Sequence, residues 1–126
     1  MGPKRPRPVV LDAGGLIAIE RADRRILRLL ELAEEVHVPS AVVAQLWWNP
    51  ARQVRLVRML AAESVTLVPL DGVEARAVGQ LCGATGTADV ADASVALVGR
   101  RTGGVVVTSD PDDLRRIDPQ LDLVVC

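Results

Sequence analysis

Two rhythms of apolar and polar positions alternate along this chain, and the switches between them mark its elements. Val9-Val10-Leu11 is a short unbroken apolar run that closes on Asp12. A run of that length with a polar stop predicts a strand buried on both faces. Ala13-Gly14-Gly15 then turns the chain into an apolar helical stretch, Leu16 to Glu20. From Asp23 to Glu35 the period is helical, with Ile26, Leu29, Leu30 and Ala33 on one face and Arg24, Arg25 and Arg28 elsewhere. Val36-His37-Val38-Pro39 predicts a second strand. Ser40 suits the cap of a helix over 41–48, which sets Val42 and Leu46 on one face and Ala41, Gln45 and Trp48 on another.

Asn49-Pro50 breaks that helix, and 51–62 predicts the next, carrying Arg52, Arg55 and Arg58 at three-residue spacing. Residues 65–70 predict a third strand, 71–81 a helix and 82–86 a loop. A nearly all-apolar, and therefore central, helix follows from a cap at Thr87 or Asp89 to about Arg101. Val105-Val106-Val107, entered from Gly103-Gly104, predicts a buried strand, and 121–125 a last one. Strands alternating with helices predict one α/β domain with a mainly parallel sheet over 9–126. Residues 1–8 are basic and Pro-rich and predict a flexible lead-in tail, either disordered or touching an anionic partner.

Composition narrows the function. The 126 residues carry a net charge of -1 and neither Phe nor Tyr. Base-stacking platforms would have to come from Trp47 and Trp48 alone, which argues against an aromatic-sheet RNA binder. No apolar run approaches the roughly 18 residues of a membrane span, and no secretory core follows the basic start. Cys82 and Cys126 make no metal or redox spacing, so a reduced, cytoplasmic protein is expected. Fourteen of the fifteen basic residues are Arg, consistent either with phosphate recognition or with a GC-rich coding bias. The Arg52, Arg55 and Arg58 stripe is open to the same two readings, phosphate contact or solvated face. His37, the only histidine, stands mid-strand without triad partners and reads as structural.

The candidate chemistry is acidic. Asp12 ends the first strand, where open α/β sheets place ligand groups. Asp110 and Asp113 follow the Val105-Val106-Val107 strand, and Asp89 and Asp92 share one face of a helix. Each has a structural role available: Asp12 and Asp110 can cap helices, and acids in a first turn favour the helix dipole. Four of these, Asp12, Asp89, Asp92 and Asp110, meeting on one rim point instead to a single acidic pocket. Clustered carboxylates raise one another's pKa unless a cation is bound. Oxygen donors without His or Cys select Mg²⁺ or Mn²⁺, and such ions activate water against phosphodiesters.

Three segments carry a resemblance: Val10-Leu11-Asp12, Thr87-Ala88-Asp89-Val90-Ala91-Asp92-Ala93, and Val107-Thr108-Ser109-Asp110-Pro111-Asp112-Asp113-Leu114. Together, in this order, they resemble the PIN domain, specifically the VapC-type toxins of bacterial toxin–antitoxin pairs, over the chain from Val9 onward. The resemblance implies a three-layer α/β/α sandwich and a Mg²⁺- or Mn²⁺-dependent endoribonuclease. It also implies a homodimer and inhibition by a small antitoxin. The family's acidic set carries over as Asp12, Asp92 and Asp110, with Asp89 and Asp113 as accessory metal candidates.

One position departs from the pattern. Gln45-Leu46-Trp47 stands where the family has a Glu-Leu-Trp-like setting, and Gln keeps an acceptor oxygen but loses the charge. This supports an alternative, a PIN-fold binding or regulatory protein with little nuclease activity. Other acidic-pocket classes fit poorly. A receiver-like phosphoacceptor needs a Lys partner, and Lys4 in the tail is the only Lys. A dehalogenase-type phosphatase needs Asp-x-Asp where Asp12-Ala13-Gly14 stands, and Gly14-Gly15 is no dinucleotide fingerprint.

Overall fold

A computed structural model describes residues 6–126. The first five residues of the expected tail lie outside the described residues. Arg7, within that tail, is tied down at its guanidinium, which donates to the Gly103 carbonyl at 2.9 Å and pairs with Asp122 at 2.8 Å.

The predicted strands pair in parallel, each for the reason its sequence suggests. The strands are β1 (Val9–Leu11), β2 (Val36–Pro39), β3 (Val65–Val68), β4 (Val105–Thr108) and β5 (Asp122–Val125). Their order is β3-β2-β1-β4-β5, and every pairing is parallel. The apolar runs of β1 and β4 take the middle, where Val10, Leu11, Val106 and Val107 are wholly buried. The shorter-patterned β3 and β5 take the edges, with Leu67 and Val125 exposed.

Seven helices cover the sheet: α1 (Ala13–Glu20), α2 (Arg24–Leu32), α3 (Ser40–Leu46), α4 (Val54–Leu60), α5 (Gly72–Thr85), α6 (Val90–Thr102) and α7 (Pro111–Ile117). α1 packs on β1 and β4 with α2 and α4 beside it. α6 packs on β1, β2 and β4 with α5 and α7 beside it. The result is a three-layer α/β/α sandwich. α3 touches both α1 and α6, so it crosses the end of the sheet between the two helical layers.

Several boundaries differ from the sequence reading. Residues 82–85, expected as loop, continue α5 until Gly86 ends it with φ +75°, a conformation that suits glycine. Ser40 does not cap α3: it is the first helical residue, and its hydroxyl donates to the Val68 carbonyl, tying α3 to β3. α3 ends at Leu46, which leaves Trp47 and Trp48 exposed beyond it rather than on its face. α1 starts directly after Asp12, with no intervening turn.

The strand order reverses between β1 and β4: β2 and β3 build outward on one side, β5 on the other. Such a reversal opens a crevice at the carboxyl ends of the two strands, where ligands bind in open α/β sheets. Gly14 lets α1 start against that crevice. A Cβ there would lie 2.8 Å from the Ser109 backbone nitrogen, beyond the end of β4. Gly14→Ala should therefore cost about 1–3 kcal/mol by overpacking. Gly79→Ala, where a Cβ would meet nothing within 4 Å, should lose no stability. Thermal melting of the two variants checks the contrast, and equal melting temperatures would contradict the close approach.

Candidate functional site

Strand register brings the first carboxylates together. Leu11 pairs with Val107, so Asp12 and Thr108 stand side by side at the ends of β1 and β4. The wholly buried Thr108 hydroxyl accepts the Asp110 N–H at 2.9 Å and neighbours the Asp12 carboxylate, whose pKa it helps to lower. Asp12 is itself buried, and its Oδ1 accepts the Gly15 N–H at 2.9 Å as the cap of α1. Burial raises its pKa, and the Asp110 charge adds to that. The bonds from Thr108, Gly15 and Gly14 act against it without cancelling it.

The first turn of α6 overhangs the same edge. Asp89 caps the helix, its Oδ1 accepting the Asp92 N–H at 2.9 Å, while its own N–H donates to the Thr87 hydroxyl oxygen. Asp92 is partly buried behind it. Its pKa is pushed up to about 6, by burial first and then by Asp89, Asp113, Asp12 and Asp110. All five candidate aspartates thus share one electrostatic field. Asp89, Asp92 and Asp113 also line one cleft of about 260 Å³ with Thr87 and Arg116.

The available structural roles divide the five. Asp12 and Asp89 do cap helices. Asp110 holds the cap position of α7, yet its side chain bonds no backbone N–H there, and its carboxylate is exposed. Asp113 pairs with Arg116 on the same helix at 3.1 Å. Gln45 is exposed on α3, and its side chain makes no hydrogen bond among the described residues. Thr108 was missed by the sequence reading. Its signal was available: one hydroxyl closing a strand of three valines that is otherwise apolar and buried.

The donors are oxygens, hard and acidic. Among the described residues, no three His, Cys, Asp or Glu side chains stand close enough to form a ready-made metal cage. A donor set of separated carboxylates fits a hard divalent cation that keeps several of its waters.

An all-parallel sheet with carboxylates near its topological switch point defines an α/β protein with an acidic edge at the carboxyl ends of its strands. A family model described as the PIN domain matches residues 9–119, and the chain belongs to the PIN domain family. No curated protein matches the sequence. Among solved structures, it is similar to VapBC2 from Rickettsia felis bound to a DNA fragment from their promoter. There the TM-score is 0.71 at 19% identity, over 94% of this chain and 98% of that one. FitAB bound to the IR36 DNA fragment gives 0.62 at 18% identity, over 93% and 94%. FitAcB from Neisseria gonorrhoeae gives 0.59 at 18%, over 91% and 95%. At these identities the likeness establishes the fold.

The raised Asp92 pKa makes a stability prediction. Its folded value, about 6, lies above the ordinary 3.8. The proton it holds therefore stabilises the fold fully below about pH 3.8, and that contribution is lost as pH rises through about 6. Asp92→Asn keeps the neutral form at all pH values. Without divalent cations, the variant should melt a few degrees above wild type at pH 7, and the gap should close near pH 4. A gap independent of pH would mean that the carboxylates do not crowd Asp92.

Proposed function

We propose that this chain is a VapC-type nuclease toxin, a metal-dependent endoribonuclease acting in the cytoplasm and held in check by a small antitoxin. The observation that carries the reading is the crowding of four carboxylates on Asp92 at the switch point of a PIN chain. Asp110, uncapped and exposed, and Asp92, whose charge is unfavourable without a counter-ion, are the residues to hold Mg²⁺ or Mn²⁺. Asp12 joins them, aimed by Thr108 and Gly15, with Asp89 and Asp113 as accessory donors. When bound, such an ion polarises a phosphoryl oxygen and lowers the pKa of an attacking water. The chain itself contributes a buried hydroxyl that fixes the Asp12 carboxylate and the Asp110 backbone as one unit.

Cleavage of matched RNA and DNA oligonucleotides across a Mg²⁺ titration tests this reading. RNA should be cut in preference to DNA, and Asp110→Asn should abolish the activity. Thr108→Val removes the hydroxyl that neighbours the Asp12 carboxylate and accepts the Asp110 N–H, and it should weaken Mn²⁺ binding by about ten- to a hundredfold in calorimetry. Cleavage that persists in a chelator would refute metal dependence.

The antitoxin reading is supported by a largely apolar groove of about 430 Å³ beside α2 and α4, lined by Ile19, Leu27, Leu30 and Met59 and rimmed by Arg55 and Arg58. An amphipathic segment with acidic flanks matches that pattern. Leu30→Glu should abolish capture of a small protein encoded next to this chain, yet leave RNA cleavage intact. A homodimer is supported by exposed Trp48, Val73 and Leu32, and light scattering that finds only monomer would count against it.

The second reading, a PIN-fold regulator with little activity, is favoured by Gln45 alone. If Gln45 limits metal affinity, Gln45→Glu should lower the Mg²⁺ concentration needed for cleavage. Absence of cleavage in both proteins, with metal still bound, would favour the regulator.

A further inference from the structure

The cleft lined by the acidic residues also holds a cation of its own. Arg116 sits one helical turn beyond Asp113 on α7, and its guanidinium is 78% exposed. Only one of its bonds is accounted for among the described residues, the Nη1 contact to Asp113 Oδ1 at 3.1 Å. A guanidinium has five N–H donors, so most remain to be given. Thr87 lines the same cleft. Its hydroxyl oxygen already accepts the Asp89 N–H at 3.1 Å, which leaves its O–H proton to donate outward. The walls of one cleft therefore present two kinds of group: carboxylates suited to a divalent ion, and donors suited to an anion.

Bulk charge gives an RNA strand little reason to approach. The net charge is -1, and five aspartates act on one another around the crevice. Local donors must hold the backbone against that repulsion. Other arginines are committed elsewhere: Arg100 to Asp118, Arg101 to Glu74, Arg25 to the Val125 carbonyl. Arg116 is the arginine that lines the cleft with Asp89, Asp92 and Asp113.

We propose that Arg116, with the Thr87 hydroxyl in the same cleft, forms a phosphate subsite that holds the RNA backbone beside the scissile bond. The ion pair with Asp113 keeps the guanidinium at the cleft while no substrate is present. It also sets two ligands in competition for Asp113, a divalent cation and Arg116. Were Asp113 to hold a divalent cation, the guanidinium would be free to turn to the phosphate. Arg116 acts in binding rather than in bond-breaking. The proposal rests on the nuclease reading given above.

The test compares Arg116→Ala, Arg116→Lys and wild type by steady-state cleavage of a labelled RNA oligonucleotide and by Mn²⁺ calorimetry. The side chain is exposed, so circular dichroism should find the alanine variant folded. Arg116→Ala should raise KM by about fivefold, the scale of one exposed charge contact, with kcat little changed. The dependence of log KM on log salt should flatten by about 0.7, one phosphate contact on a single strand. Mn²⁺ should bind the alanine variant at least as tightly as wild type, because Asp113 is released. Arg116→Lys should recover part of the KM and all of the salt slope. Thr87→Ser should behave as wild type and Thr87→Val should raise KM. An unchanged KM in Arg116→Ala, with wild type active, would overturn the subsite and leave the nuclease reading standing. Wild type that neither binds nor cuts RNA would overturn both.

Discussion

The parallel pairing of β1 with β4 is the interaction on which the rest of the molecule depends. It joins the two most buried strands, and it is the one neighbour relation that no short connection supplies. β1 must wait for β4 until two strands and six helices have intervened. The pairing is held by apolar burial on both faces, since Val9, Val10, Leu11, Val106 and Val107 are all buried. Its register also decides where the chemistry falls. A slip by one residue would turn Thr108 away from Asp12 and part the two strand ends that now act together.

The acidic edge runs against the stability of the fold. Asp12 is buried and Asp92 is crowded, and both are held above their ordinary pKa values. The fold tolerates them through local hydrogen bonds that cannot be moved elsewhere: Gly15 and Thr108 to Asp12, and the Asp89 cap at the start of α6. Two of the aspartates thus serve structure and site together. Asp110 has no such second use, which makes it the carboxylate whose presence structure alone explains least.

Much of this was legible in the sequence because burial writes a simple code. The runs of β1 and β4 could hardly be anything but central strands, and Asp12 and Asp110 at their ends follow from that. Asp89 and Asp92 were legible through helical spacing. Less visible were features that depend on neighbours distant in the chain. Thr108 looks like an ordinary strand terminus until the register sets it beside Asp12. Ser40 looks like a cap until Val68 is found to take its proton. Residues 82–85 carry glycine and threonine and read as loop, yet α5 continues through them, with the Thr85 hydroxyl returning to the Leu81 carbonyl. Local propensity was outweighed there by the helix already formed.

α1 has one further consequence. It begins at Asp12 in the acidic crevice, and its seventh residue, Ile19, lines the apolar groove. Seven steps of helix span about 10 Å. At its far end Glu20 accepts the Leu56 N–H, so the rod is pinned to α4 as firmly as it is pinned to β4. The acidic crevice and the apolar groove are thus the two ends of one short, mostly buried rod.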